Sequence, residues 1–140
     1  MTVAAFLLRS PLFEMISEGI TTGGLYNGYV AFSGYLPDSY MKHVNGRGEL
    51  DNLINIHGGI TFDQVIDFSK DCWASDSISV LNTEVPKEGT YRVIGFDTLH
   101  CDDTMEYWTI ERTKSETLYL LEQVEKLLIM FQIKKLQGYE

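Results

Sequence analysis

Two short segments of the chain combine histidine, aspartate and glycine in a way that can support binding or catalysis. The first is His57-Gly58-Gly59-Ile60-Thr61, and the second runs from Gly95 through Asp97 and His100 to Asp103. Each contains a stretch typical of a buried strand, and ligand-binding groups are often placed where such elements end. Glycine leaves no side chain between the backbone and a ligand. We therefore expect the two segments to meet at one site.

The polar residues of these segments suit metal binding or acid-base chemistry. His57, Asp97, His100 and Asp103 form a candidate nitrogen and oxygen ligand set for a divalent metal such as Zn²⁺, Mn²⁺ or Fe²⁺. Without a metal, His57 and His100 can act as catalytic acid and base, with Asp97 orienting an imidazole. The three-residue spacing of Asp97, His100 and Asp103 would place them on one face of a helical turn. In the purely structural alternative, Asp97 caps the segment and His100 binds backbone.

A ligand-binding interpretation uses the same region. The glycine amides and an arginine would hold an anionic group, and Tyr107, Trp108 or Trp73 would either stack on a ring or belong to the core. The four candidate arginines are Arg9, Arg47, Arg92 and Arg112. The predicted ligand-binding residues are His57, Gly58, Gly59, Thr61, Arg92, Asp97 and His100.

Composition limits the partners. The 140 residues fit a single domain, 1–140, and 44% hydrophobic with 22% charged residues is typical of a globular protein. The net charge of −9 disfavours binding to a nucleic-acid polymer, which depends on lysine and arginine. A small anionic ligand remains compatible, because a few arginines can hold it.

The chain is expected to be cytoplasmic. Its two cysteines provide no disulfide framework, which favours a reducing compartment. The apolar start, Met1 to Leu8, is too short and not basic enough for a signal peptide. The later run Leu127–Phe131 is far below the roughly 20 residues that cross a bilayer, so no membrane partner is expected.

Three strands and one long helix are predicted to position the site. Runs of aromatic and β-branched residues indicate strands at Tyr26–Ser33, Asn55–Phe62 and Thr90–Asp97. The pattern Thr113-x-x-Glu116 is typical of a capping box and predicts a C-terminal helix of about 22 residues. The fold class is therefore α+β, a small antiparallel or mixed sheet packed by a long C-terminal helix.

The second half of that helix is apolar almost all round, from Leu127 to Leu136. A helix packed on one side of a sheet needs only an apolar stripe. Either the helix passes through the middle of the fold, or its outer face meets another subunit. We favour a homo-oligomer formed through this helix.

Three motifs also resemble a known group of sequences. Asn27-Gly28-Tyr29-Val30, His57-Gly58-Gly59-Ile60-Thr61 and Gly95-Phe96-Asp97-Thr98-Leu99-His100, followed by Asp103 and a final amphipathic helix, are similar to a family of small, mostly uncharacterised bacteriophage and prophage proteins. The resemblance extends from Tyr26 to the C-terminus. The chain carries Asp102 where the family pattern has glycine. The resemblance implies a phage origin and an accessory role inside a bacterial host cell.

Three functional hypotheses remain open. The first is a phage-encoded small-molecule-binding protein that sequesters a host nucleotide-type defence signal. The second is a small hydrolase acting on a nucleotide or related phosphoester, with His57, His100, Asp97 and Asp103 as metal ligands or acid-base groups. The third is an inhibitor that binds a host protein through its acidic surface. A cofactor is either absent or a divalent metal.

Overall fold

The computed structural model describes residues 2–19, 22–37, 40, 43–44 and 47–138, and it confirms the α+β fold class. The strands are β1 (Thr2–Arg9), β2 (Tyr26–Ser33), β3 (His43–Val44), β4 (Arg47–Gly48), β5 (Phe62–Asp67), β6 (Ile78–Ser79) and β7 (Thr90–Phe96). The helices are α1 (Leu12–Met15) and α2 (Ile110–Leu136), with 3₁₀ turns at Ile16–Glu18 and Glu49–Asn52.

The main sheet has the strand order β5-β7-β2-β1-β6, and every neighbouring pair is antiparallel. The central pair, β1 and β2, is in register from Thr2 opposite Ser33 to Arg9 opposite Tyr26. Strands β3 and β4 form a separate two-stranded ribbon. Of the two predicted alternatives, an antiparallel or a mixed sheet, the structure has the antiparallel one.

Both faces of the sheet are covered, which explains why its central strands are almost continuously apolar. Residues that alternate along each strand belong to two different cores. The core beneath α2 includes Ala5, Leu7, Val30, Phe32, Ile94, Phe96, Leu120, Val124 and Leu128. The core on the opposite face includes Phe6, Leu8, Tyr29, Ala31, Ile66, Phe68, Ala74 and Val93.

Helix α2 begins earlier than the sequence predicts. The side chain of Thr109 accepts a hydrogen bond from the Arg112 amide, so Thr109 is the N-cap and the helix has 27 residues, about 40 Å. Thr113, the predicted cap, is fully buried, and its hydroxyl donates to the Thr109 carbonyl at 2.9 Å. The predicted capping box is therefore wrong, because the helix starts one turn upstream of it.

Gly28 allows this helix to lie close to the sheet. The pairing of β2 with β1 and β7 passes through this glycine without interruption. A Cβ atom at position 28 would overlap the Thr117 hydroxyl of α2 and the ring of Phe96. The glycine therefore provides close approach of helix and strand.

The predicted strand Asn55–Phe62 is wrong. Residues 55–61 form a turn-rich loop, and the strand β5 begins at Phe62. Ile56 and Ile60 are nevertheless buried, so this loop has the apolar pattern of a strand, while regular strand pairing begins at Phe62. By contrast, the prediction of Tyr26–Ser33 is confirmed, and β7 is one residue shorter than predicted.

The second half of α2 lies on one face of the sheet and does not pass through the middle of the fold. Leu128 and Phe131 belong to the core, while Ile129, Ile133 and Leu136 are exposed. None of the helices in the described ranges is both long and apolar enough to cross a bilayer. A homo-oligomer formed through this helix would need such an exposed apolar strip. The homo-oligomer itself stays a prediction.

Candidate functional site

The structure brings His57 and His100 together. The centroids of their imidazole rings lie 4.8 Å apart, with the ring planes almost perpendicular. Both rings are partly accessible, with side-chain exposures of 28% and 36%. The two segments singled out in the sequence therefore meet at one end of the sheet.

Antiparallel pairing of β5 with β7 explains this meeting. In an antiparallel pair, the start of one strand lies beside the end of the other. The Thr61 amide donates to the Gly95 carbonyl at 2.9 Å, which fixes the loop before β5 beside the loop after β7. The second loop is held further by Thr98, whose amide donates to the Asn27 side-chain oxygen at 3.0 Å.

Asp103 lies at the centre of the cluster, with its side chain only 6% exposed. Its Oδ1 lies 3.0 Å from His57 Nε2 and accepts from Trp108 Nε1 at 3.1 Å. Its Oδ2 accepts from the His100 amide at 2.9 Å and lies 3.1 Å from His100 Nδ1. One buried carboxylate thus orients both imidazoles.

These contacts settle the charge of Asp103. Burial raises the pKa of Asp103, but hydrogen bonds from the His57 ring and from the His100 amide and ring outweigh it, so the pKa lies below its usual value. An ionised carboxylate only accepts hydrogen bonds, so His57 Nε2 and His100 Nδ1 are the donors. In a neutral imidazole the other ring nitrogen then carries the lone pair and can act as a base.

The Asp103→Asn variant is expected to lose about 1–3 kcal/mol of stability at neutral pH, because an amide cannot accept from all of these donors. Because the folded-state pKa of Asp103 is lowered, its ionised form stabilises the fold above about pH 4. That contribution disappears as the pH falls through the folded-state pKa.

Urea unfolding across pH 2.5–7 checks this expectation. The difference between wild type and Asp103→Asn should be largest above about pH 5 and shrink below about pH 4. Asp76→Asn, at an exposed aspartate, is the matched control and should show little difference at any pH. A wild-type to Asp103→Asn difference that is constant with pH would contradict the assignment.

The His57 loop is held by the polar face of α2. The His57 amide donates to Glu116 Oε2 at 2.8 Å, and its ring centroid lies 4.4 Å from that of Trp108. Two further hydrogen bonds join Asn55 to Gln123, through the Asn55 amide at 2.7 Å and the Asn55 carbonyl at 2.8 Å. Helix α2 therefore helps to hold His57 in position.

An open cleft of about 700 Å³ lies between this loop and the N-terminal half of α2. The guanidinium carbon of Arg112 lies 4.0 Å from the centroid of the Tyr107 ring, a cation–π contact at the cleft. The lining combines polar, charged and aromatic groups: Asn55, Ile56, His57, Asp102, Asp103, Tyr107, Trp108, Arg112, Ser115, Glu116 and Tyr119.

Some of the remaining predicted site residues lie beside the histidine cluster, and others do not. Asp97 Oδ1 lies 3.5 Å from His100 Nδ1 and accepts from the Leu99 amide, so Asp97 borders the cluster. Gly58 packs against the His100 ring. The Gly59 amide is used within the turn, donating to the Ile56 carbonyl, and Thr61 is exposed with its amide in the sheet. Of the predicted ligand-binding residues, His57 lines the cleft, whereas the other six do not: Gly58, Gly59, Thr61, Arg92, Asp97 and His100.

Arg92 lies away from this cluster, contrary to its assignment as a ligand-binding residue. It is buried, and its Nε and NH2 atoms donate to the two Asp63 oxygens at 2.9 and 2.7 Å. Its NH1 atom donates to the Tyr40 carbonyl. Arg92 is occupied in a buried ion pair between β5 and β7, and Arg112 is the arginine that lines the cleft within the described part of the chain.

The sequence interpretation missed the roles of Glu116, Ser115 and Tyr119. Glu116 was taken as part of a cap, yet it anchors the His57 loop. A signal for this face exists: Arg112, Glu116, Tyr119 and Gln123 recur at three- and four-residue spacing, on the flank of the apolar stripe.

Comparison with known proteins gives no relative: no family model, no curated protein and no solved structure matches this chain.

Proposed function

We propose that this protein binds a small ligand of nucleotide type, with a planar ring and an anionic group, in the cleft beside His57. The observation that carries the proposal is the Arg112 guanidinium over the Tyr107 ring at the cleft. A cation beside aromatic side chains is suited to an anionic group attached to a ring.

The size and lining of the cleft support this proposal. Small-molecule sites occupy about 300–1,000 Å³, and the cleft measures about 700 Å³. Tyr107 and Tyr119 are exposed and line the cleft, so their rings are accessible for stacking. Asn55 and Ser115 supply neutral polar groups at the same surface.

The charges of the cleft restrict the ligand. Among the described residues, three carboxylates, Asp102, Asp103 and Glu116, line it together with one arginine, Arg112. Asp103 and Glu116 already accept hydrogen bonds from the two site segments, which reduces their repulsion of an anion. We therefore expect a ligand with one or two negative charges, in preference to a triphosphate.

The biological setting proposed here follows from the resemblance to phage proteins. A phage protein in the bacterial cytoplasm that retains a nucleotide-type signal would remove that signal from a host defence system. The exposed strip of Ile129, Ile133 and Leu136 on α2 would join the subunits of a homo-oligomer.

A release experiment tests the proposal. The protein is incubated with a panel of cyclic nucleotides and NAD-derived compounds, separated from free compound, heated, and the released material is analysed by chromatography. Recovery of one intact compound in stoichiometric amount supports a binding protein. Recovery of none from the panel would contradict it.

The Arg112→Met variant is expected to weaken binding of the recovered compound by about 10- to 100-fold, because it removes the cation from the cleft. Arg9→Met is the matched control, since Arg9 also lies over an aromatic ring, Phe13, but outside the cleft. Calorimetric titration compares the two. Equal affinities for the two variants would contradict the assignment of Arg112.

A second candidate function is hydrolysis of a phosphoester. The observation that favours it is the orientation of two imidazoles by Asp103, an arrangement that supports acid-base catalysis. His57 lines the cleft and would face the ligand. Recovery of a chemically altered compound in the release experiment would favour the hydrolase over the binding protein.

A further inference from the structure

We infer that His57, His100 and Asp103 bind a divalent transition-metal ion, and we take Zn²⁺ as the representative metal. The inference goes beyond the proposed ligand and does not depend on it. Within the described part of the chain, these three residues form the group whose nitrogen and oxygen atoms converge closely enough to hold a metal, all within 4.8 Å of one another.

The two histidine–carboxylate distances are already close to those of a coordination site. His57 Nε2 lies 3.0 Å from both Asp103 oxygens, and His100 Nδ1 lies 3.1 Å from Oδ2. Ligands at about 2.0–2.2 Å from a tetrahedral Zn²⁺ are separated from each other by about 3.3 Å. The two imidazole nitrogens lie within 4.8 Å of each other, so they must approach by up to about 1.5 Å to reach this separation.

The donor set selects the class of metal. Two imidazole nitrogens and one carboxylate suit Zn²⁺, Fe²⁺ or Co²⁺, whereas Mg²⁺ and Ca²⁺ require mostly oxygen ligands. Three protein ligands leave at least one position for water or for a ligand atom. His57 and Asp103 line the cleft, so that position would be accessible from it.

Contacts around the three residues fix their orientation without the metal. Trp108 Nε1 and the His100 amide donate to the Asp103 carboxylate, and Glu116 holds the His57 backbone. Outer contacts of this kind hold metal ligands in place. The nearby carboxylates of Asp97 and Asp102 add negative charge that favours a cation.

Coordination also has a definite proton balance. In the metal-free cluster, His57 Nε2 and His100 Nδ1 carry the protons that face Asp103. To coordinate a metal through those atoms, each neutral imidazole moves its proton to the other ring nitrogen, and no net proton is released. An imidazole that is protonated beforehand releases one proton.

The experiment uses the full chain without an affinity tag, freed of metal with a chelator and titrated with Zn²⁺ or Co²⁺. We expect one equivalent to bind, with a Co²⁺ absorption spectrum typical of nitrogen and oxygen ligands. In proton NMR, the ring signals of His57 and His100 should broaden on addition of Co²⁺, while those of His43 should not. Absence of a one-to-one complex, or broadening of His43 alone, would overturn the inference.

Variants locate the site. His57→Gln and His100→Gln should each weaken Zn²⁺ binding by about 100-fold or more, and His43→Gln, which changes the third histidine of the chain, should leave it unchanged. Circular dichroism checks that each variant folds. If a variant does not fold, the Co²⁺ broadening measured on the wild-type protein decides whether His57 and His100 bind the metal. Wild-type affinity in folded His57→Gln and His100→Gln would overturn the inference.

Failure of this inference is distinguishable from failure of the ligand proposal. Arg112→Met should bind Zn²⁺ as wild type does, because Arg112 is outside the three-residue cluster. The compound panel is tested on metal-free and Zn²⁺-loaded protein in parallel. Compound binding without Zn²⁺ binding would remove only the metal site, and Zn²⁺ binding without compound binding would remove only the ligand proposal.

Discussion

Replacing Gly58 by alanine is expected to lower the free energy of unfolding by about 2–4 kcal/mol. The φ angle of Gly58 is +71°, a left-handed conformation that costs an L-residue about 1–2 kcal/mol. A Cβ at this position would also overlap the His100 imidazole, which must then move away from Asp103. Urea unfolding measures the loss of stability, and the His100 ring signals in NMR report the displacement.

Gly19→Ala is the matched control for this prediction. Gly19 has a φ angle of +84°, and a Cβ there meets no atom of the described residues within 4 Å. The control therefore carries the backbone cost without the collision, and it should lose about 1–2 kcal/mol. If Gly58→Ala loses no more than Gly19→Ala and leaves the His100 signals unchanged, the His100 ring does not pack on Gly58 as described.

Replacing Arg92 by methionine is expected to cost about 3–5 kcal/mol, because it leaves a buried carboxylate without its partner. The side chains of Arg92 and Asp63 are 5% and 2% exposed and form a bidentate pair. Water cannot replace the lost donors at such a position without opening the structure. Chemical unfolding of the purified variant measures the cost.

Two comparisons test this explanation. Arg112→Met removes an exposed arginine and should cost under about 1 kcal/mol. The double variant Arg92→Met/Asp63→Leu removes both charges and should recover much of the loss, since a buried ion pair can be replaced by apolar side chains. A cost for Arg92→Met as small as that for Arg112→Met would show that the pair does not stabilise the fold.

The elements that the sequence predicted well are those whose pattern is local. The strands at Tyr26–Ser33 and Thr90–Phe96 are buried on both faces over most of their length, so most of their residues are apolar or aromatic, with Asn27 and Arg92 as buried polar exceptions. The loop at 55–61 has a similar pattern because its isoleucines are buried. Composition alone cannot separate a buried loop from a buried strand, since the difference lies in backbone pairing.

The site was predictable in part for the same reason. His57 and His100 are adjacent to apolar segments, and their meeting requires only that the two segments pair. The ion pair of Arg92 depends on Asp63, which lies in a strand, β5, whose position the sequence misplaced. The role of Glu116 depends on which face of α2 turns towards the loop, and tertiary packing determines that.

The position of β5 affects how the candidate functional site responds to local unfolding. In the described part of the chain, β5 is the edge strand on its side of the sheet, hydrogen-bonded to β7. Outer strands are commonly the first to separate in brief local openings, which amide hydrogen exchange detects. Release of β5 alone would leave His57 attached to α2 through Glu116. Loss of the imidazole pair therefore requires detachment of the His57 loop from α2 as well as release of β5, so the site can outlast fraying of the strand that follows it.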